Sequence, residues 1–386
     1  MVTSAYVHIP FCLSKCRYCD FNSHAGLADL HSGYIASLLK DVESSTQRLG
    51  QPLRTIYIGG GTPTLLPPQH LRAIIHALTE SCGMASECEV TVEANPRTID
   101  SGTLANMRLV GVNRLSIGVQ SMDNTALRVL GRAHEAEDAA AALQLARERG
   151  FHNVSVDLIY GIPGQSLRDI YDDVEHVILL GPEHVSAYEL TVEEGTPLAV
   201  DIAEGRLRMP DTEMVSTAYD LVGEALSRAG YEHYEVSSYA KPGFRSRHNQ
   251  VYWRNEPHYG FGAGAWGYVD GVRTRRIPDP RGYIEALEAG LDPVESTEEL
   301  RGRALLAETL MLGLRMLDGV DLDSLVARGM PDARREFPQQ IDKLIQDGLV
   351  DLAGSVLKPS YRGLRVLNDV VLEFFSTSEK DTSTPM

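Results

Sequence analysis

Residues 12–19 read CLSKCRYC, directly after the β-branched run AYVHIP (5–10). Three cysteines, Cys12, Cys16 and Cys19, fall within eight positions, and no fourth thiol follows nearby. Clustered thiolates select soft metals and iron–sulfur clusters. A structural zinc site takes four closed ligands, and the other donors in this loop, Asp20 and His24, stand at no familiar zinc spacing. His8 alternates with apolar neighbours and reads as a packed histidine. Three thiolates on a four-iron cluster leave one iron open for an exchangeable ligand.

Outward from this stretch, short β-branched runs recur: TIYIGG (55–60), EVTVEA (89–94), RLSIGV (114–119), VSVDLIYG (154–161) and HVSAYEL (184–190). Between them lie helical patterns such as AEDAAAALQLARERG and LRDIYDDVEHVILL. Six strand–helix units imply a parallel sheet, and in under 200 residues a partial barrel rather than a closed eight-unit one. The runs read as nearly continuous in apolar residues, as strands covered on both faces do. Parallel barrels carry their chemistry at the C-terminal ends of the strands. There the sequence places the cysteines, then GGGT (59–62), Glu93, Gln120 and Asp157. Each alone reads equally as a turn or a cap; their convergence on one rim is the signal.

The chain has 386 residues and a formal net charge of −17. That balance argues against non-specific binding to nucleic acid or anionic membranes. No apolar run approaches the ~20 residues of a membrane helix, and the N-terminus lacks the pattern of a signal peptide. Five cysteines are too few and too uneven for a secreted disulfide framework, so a cytoplasmic protein is expected. Cys82 and Cys88 read as ordinary buried thiols.

C-x3-C-x2-C after the first strand, with Tyr18 between the last two cysteines and GGGT after the second strand, resembles the radical S-adenosylmethionine (SAM) superfamily. YVHIPFC, CDFNS, YIGGGTPT, VEANP, GVQS, LGRAH and VDLIYGIPGQ, in that order between residues 6 and 165, are similar to the group around oxygen-independent coproporphyrinogen III oxidase. The resemblance implies a [4Fe–4S] cluster on Cys12, Cys16 and Cys19, with SAM chelating the open iron. It places SAM contacts at Tyr6, Gly60, Gly61, Thr62, Glu93, Gln120, Arg132, Asp157 and Thr191. The oxidases carry a further cysteine where this chain has Phe21, and a longer segment before the first strand. Both departures resemble the HemW-type haem chaperones. That likeness implies haem as a ligand and haem-acceptor proteins as partners, membrane-bound respiratory proteins among the candidates, and it makes radical decarboxylation of coproporphyrinogen III the alternative function.

Residues 236–276 hold seven Lys and Arg against two acidic residues, together with eight aromatics. By composition this is a β-rich segment whose arginines pair with the acidic barrel, or a site for a flat anionic macrocycle. HNQVYW (248–253) resembles a motif of the chaperones and singles out His248 as a haem ligand, with His258 and His233 as rivals; no CxxCH motif is present for covalent attachment. From 291 on, helices and a hairpin resemble a winged helix. Its charge, 11 basic against 17 acidic residues, disfavours DNA. The expected organisation is a partial (β/α)6 radical SAM barrel at 1–235, a β-rich bridging segment at 236–290, a winged-helix-like α+β domain at 291–376, and a disordered tail at 377–386.

Overall fold

The computed structural model describes residues 1–45 and 51–375; the tail expected at 377–386 lies outside the described residues. Six parallel strands form the first unit: β1 (Ser4–Ile9), β2 (Leu53–Gly60), β3 (Met84–Ala94), β4 (Arg114–Gln120), β5 (Val154–Tyr160) and β6 (His184–Glu189). They pair in sequence order with parallel register. The crossovers are α1 (His31–Ser45), α2 (Pro68–Cys82), α3 (Ser101–Leu109), α4 (Ala136–Glu148) and α5 (Leu167–Leu180), and α6 (Thr212–Arg228) follows β6. This is the six-unit partial barrel that the strand–helix repeat predicts. The sheet extends to nine strands, with Tyr259–Phe261 parallel on the free edge of β1 and Ser238–Ala240 antiparallel on β6.

The strands are not apolar on both faces. Ala5, Val7, Ile56, Ile58, Val90, Val92, Leu115, Ile117, Val154 and Val156 face outward into one core with Leu38, Ile74, Leu104, Leu143 and Val174 of the helices. The alternate positions are polar: Ser4, Tyr6 and His8 on β1, Thr55 and Tyr57 on β2, Glu89, Thr91 and Glu93 on β3, Arg114 and Ser116 on β4, Ser155 and Asp157 on β5, His184 and Ser186 on β6. Side chains alternate faces along a strand, so all of these line the lumen. The apolar expectation fails because a six-strand arc does not close on a hydrocarbon interior. Its lumen is a hydrogen-bonded polar surface.

The expected bridging segment 236–290 does not stand apart. Residues 237–248 and 257–298 belong to the barrel unit, whereas 233–236 and 249–256 group with the chain from Glu299. Tyr259–Phe261 is drawn into the sheet because β1 offers it an unpaired edge. A buried network fixes this return to α1: Arg276 Nη2 lies 3.1 Å from Asp41 Oδ1, and Tyr283 donates to Asp41 Oδ2 at 2.8 Å. Asp41 is fully buried and Arg276 only 6% exposed.

The second unit has its own core of Leu306, Leu310, Leu322, Phe337, Ile341, Leu344, Val350 and Leu357. Its order is a helix (Gly302–Gly313), a short strand (Val320–Asp321), the helices Leu322–Ala327 and Pro338–Gln346, and the hairpin Val350–Ala353 with Val356–Pro359. That is the order of elements in a winged helix. Among the described residues no helix is long and apolar enough to cross a membrane.

Asp41→Ala leaves the Arg276 guanidinium buried and unpaired, and should cost about 3–5 kcal/mol of unfolding free energy. Ser45→Ala, which removes a 3.1 Å contact to the same guanidinium and a 3.1 Å hydrogen bond to Asp41 but leaves the ion pair in place, should cost less, about 1–2 kcal/mol. Denaturant titration of both variants checks this.

Candidate cofactor site

The cysteines lie between Phe11–Cys12, which pairs with His24–Ala25, and the first helical segment. The loop is held from several sides. Arg17 donates its backbone N–H to Leu130 O at 3.0 Å and its guanidinium pairs with Asp201. Asn22 donates to Ala263 O and Pro278 O, both at 2.9 Å, and its own carbonyl meets His8 Nε2 at 2.8 Å. Tyr18 packs against Ala126, Leu130, Ile159, Ile162, Leu190 and Leu198. The three thiols stay partly exposed, and none is in a disulfide.

The glycines of GGGT let backbone approach this loop closely. A Cβ on Gly61 would lie 2.5 Å from Phe11 O and 3.0 Å from Cys12 Sγ. Gly60 has φ +111°, and a Cβ there would lie 2.5 Å from the His8 ring. Gly61 N–H and Thr62 N–H donate to Ile9 O and Phe11 O at 2.8 and 2.7 Å, and the Thr62 hydroxyl stands 3.8 Å from Cys12 Sγ. On the opposite side Arg132 donates to Cys16 Sγ at 3.3 Å and to Gly118 O at 2.7 Å, while its buried Nε has no partner among the described residues. Burial pushes the Cys12 and Cys19 thiols up, so binding an electrophilic metal must displace their protons. Among the described residues no three His, Cys, Asp or Glu side chains converge as ligands to one ion would. A cubane takes each thiolate on a different iron, and the donor set fits that group.

Above the lumen, Glu93 accepts from Tyr57 OH at 2.7 Å and from Gly60 N–H at 2.8 Å. Burial raises its pKa to about 7, against the lowering effect of those two hydrogen bonds. Asp157 meets the Ser116 hydroxyl at 3.3 Å, and burial raises it to about 6. Gln120 follows a register irregularity in the β4–β5 pairing and has φ +70°. Such bulges re-aim side chains near active sites. Tyr6 meets His8 Nδ1 at 2.9 Å and stacks on Tyr57 with ring centroids 6.1 Å apart.

The structure therefore brings Tyr6, Gly60, Gly61, Thr62, Glu93, Gln120, Arg132 and Asp157 together at the strands' C-terminal ends, beside the cysteines. Thr191 lies beyond β6 and is exposed. Sequence reasoning missed Tyr57 and Ser116, which hold Glu93 and Asp157; their signal was the polar residue at every second position of TIYI and RLSI. His8, read as packed, is buried and meets Tyr6 and the Asn22 carbonyl. Cys82 and Cys88 are buried in the core, as expected.

His248 is corrected as an accessible ligand. HNQVYW starts a helix, Arg247–Trp253, whose first turn is fixed at the barrel floor: Glu89 accepts the N–H of Arg247 and His248 at 3.1 and 3.0 Å. The His248 ring is fully buried, meets Thr55 Oγ1 at 2.8 Å and stacks on Tyr57 at 5.2 Å. Burial lowers its pKa to about 3. The nearby arginines are also engaged, Arg245 with Glu232 and Arg275 with Glu295, as the reading from composition allowed. His258 is half-buried beside Tyr268, and His233 is likewise half-buried.

Residues 6–177 match the radical SAM superfamily, and residues 300–366 match the HemN C-terminal domain. A protein of Bacillus subtilis described as heme chaperone HemW is 35% identical over 95% of this chain and 97% of its own length. A protein of Mycobacterium tuberculosis with the same description is 38% identical over 95% and 93%. The solved structure of the Escherichia coli coproporphyrinogen III oxidase HemN shares the fold, with a TM-score of 0.82 at 21% identity over 96% of this chain and 89% of that one. The fold and cysteine loop are those of a radical SAM protein, and within that superfamily the chain belongs to the HemW family.

Gln120 holds a left-handed backbone at the rim, a conformation that costs a non-glycine residue about 1 kcal/mol or more. Gln120→Gly should raise the denaturation midpoint while removing the side chain from the site, a gain in stability that an unstrained position would not show.

Proposed function

We propose that this chain carries a [4Fe–4S] cluster with SAM on its open iron, and that it binds haem and delivers it to acceptor proteins. The observation that supports the cofactor reading most directly is the meeting of three partly exposed thiols with Glu93, Gln120, Arg132 and Asp157 on one barrel rim. Cys12, Cys16 and Cys19 would hold the cluster. When bound, the cluster supplies a Lewis-acidic iron and a low-potential electron to SAM. The chain's own residues do the rest. Gly60 and Gly61 let backbone approach the ligand. Arg132, already beside Cys16, offers a guanidinium to a carboxylate. Glu93 and Asp157 receive hydroxyls and cationic groups, so binding is strongest with both ionised and should weaken as the pH falls through about 7 and then about 6.

Haem binding and transfer rest on the family, whose curated members share the haem-chaperone description. Phe21, where the oxidase has a further thiol, is 61% exposed next to the cluster loop. It supports binding without oxidative decarboxylation.

Anaerobically reconstituted protein should hold about four irons per chain. Cys12→Ala, Cys16→Ala and Cys19→Ala should each lose them, and Cys82→Ala should not. Stoichiometric zinc in place of iron would contradict the reading.

Haem titration should saturate at about one per chain, and incubation with coproporphyrinogen III and SAM should yield no protoporphyrinogen. The His248→Ala variant should keep the wild-type Soret band, because the ring is sealed in the barrel. Loss of the band would show that the Arg247–Trp253 helix opens to ligate haem. No binding above a control protein ends the chaperone proposal.

A further inference from the structure

The lumen holds one charge with no role so far. Arg114 is 1% exposed, the largest fully buried side chain, and its Nε has no hydrogen-bond partner among the described residues. Burying a guanidinium without a bonded anion is costly. The strand register gives its place. Arg114 pairs with Thr91, and Ser116, one inward step above, pairs with Glu93 on one side and Ser155 on the other. Ser116 in turn reaches Asp157. Successive inward positions are about 7 Å apart, so a long side chain at 114 lies one layer beneath Glu93 and, because Asp157 pairs with Gly118, two layers beneath Asp157. The other titratable groups that feel it are Tyr57 of β2, His184 of β6 and His248 of the floor helix. Burial keeps both of those histidines neutral. Arg132 faces Asp157 from the cluster side.

We propose that Arg114 is a positioning residue for SAM: its buried charge, set beneath Glu93 and Asp157, favours their anionic forms, so that they present carboxylates to the cofactor. The inference rests on the SAM site proposed above. Burial pushes both carboxyls up, and Arg114 opposes it at both, as the largest opposing influence at Asp157. The arrangement suits a cationic ligand that must be gripped by carboxylates in a poorly solvated lumen, where an unbalanced pair would take up protons.

Equilibrium SAM binding to reconstituted protein, from about pH 5 to about pH 9, tests this. With Arg114→Met the midpoint of the affinity curve should move up by about one pH unit, with iron content unchanged. Arg114→Lys, which keeps the charge, should restore the wild-type midpoint. Arg114→Gln, which removes the charge but keeps a polar side chain of similar length, should move the midpoint upward in the same way, so it decides the matter where Arg114→Met fails to fold. Weaker binding with an unmoved midpoint in these variants would make Arg114 a packing residue and overturn the proposal. A wild-type protein that binds no SAM at any pH would instead refute the SAM site itself.

Discussion

Six parallel strands make an arc that does not close on itself, and so cannot enclose a hydrocarbon interior as an eight-strand barrel does. The consequence is the strict alternation along every strand. One face supplies Val, Ile, Leu and Ala to the helices; the other supplies Ser, Thr, Tyr, His, Glu, Asp and Arg to the lumen. Outward burial stabilises the sheet, and inward polarity leaves a buried lumen lined with charged and hydrogen-bonding groups. Lumen residues are hydrogen-bonded across to neighbouring elements: Thr55 to His248, Tyr57 to Glu93, Ser116 to Asp157, Ser155 to His184. Buried polar groups persist on these terms.

The cysteine loop depends on the same constraint. It lies on the rim because β1 ends there, and it keeps its shape because the rim offers donors and acceptors at close range. Gly61 admits the Phe11 backbone and the Cys12 sulfur, Asn22 ties the loop's end to Ala263 and Pro278, and Arg132 bridges from Gly118 to Cys16. The strand Tyr259–Phe261 covers the open edge of β1 and brings with it the Arg276–Asp41 pair. A single network thus fixes both the sheet edge and the helix that follows the cysteine loop.

The six units, the rim and the cysteines were legible because each leaves a local mark: a β-branched run, a glycine turn, a thiol spacing. The lumen was less legible. The alternation in RLSI or TIYI is plain in retrospect, but Arg114 and Tyr57 acquire meaning only through register, which no single run of sequence displays. The burial of His248 was hidden for a related reason. A histidine among aromatics and arginines has the composition of a haem surface, and nothing local shows that Glu89, some 160 residues earlier, caps that turn and draws the ring under the barrel. The strand Tyr259–Phe261 escaped notice because three residues with a glycine in the middle carry no periodicity, and only the vacant edge of β1 turns them into a strand.

The central claim is that one iron of the cluster is open and that SAM takes it. Electron paramagnetic resonance of the chemically reduced, reconstituted protein, recorded with and without SAM, addresses that iron directly. If SAM chelates it, the spectrum changes on addition of SAM, and SAM labelled with 15N at its amino group or 17O at its carboxylate shows hyperfine coupling to the cluster. An unchanged spectrum at saturating SAM, with no coupling to either label, would mean that the three-thiolate site does not hold SAM and would contradict the account.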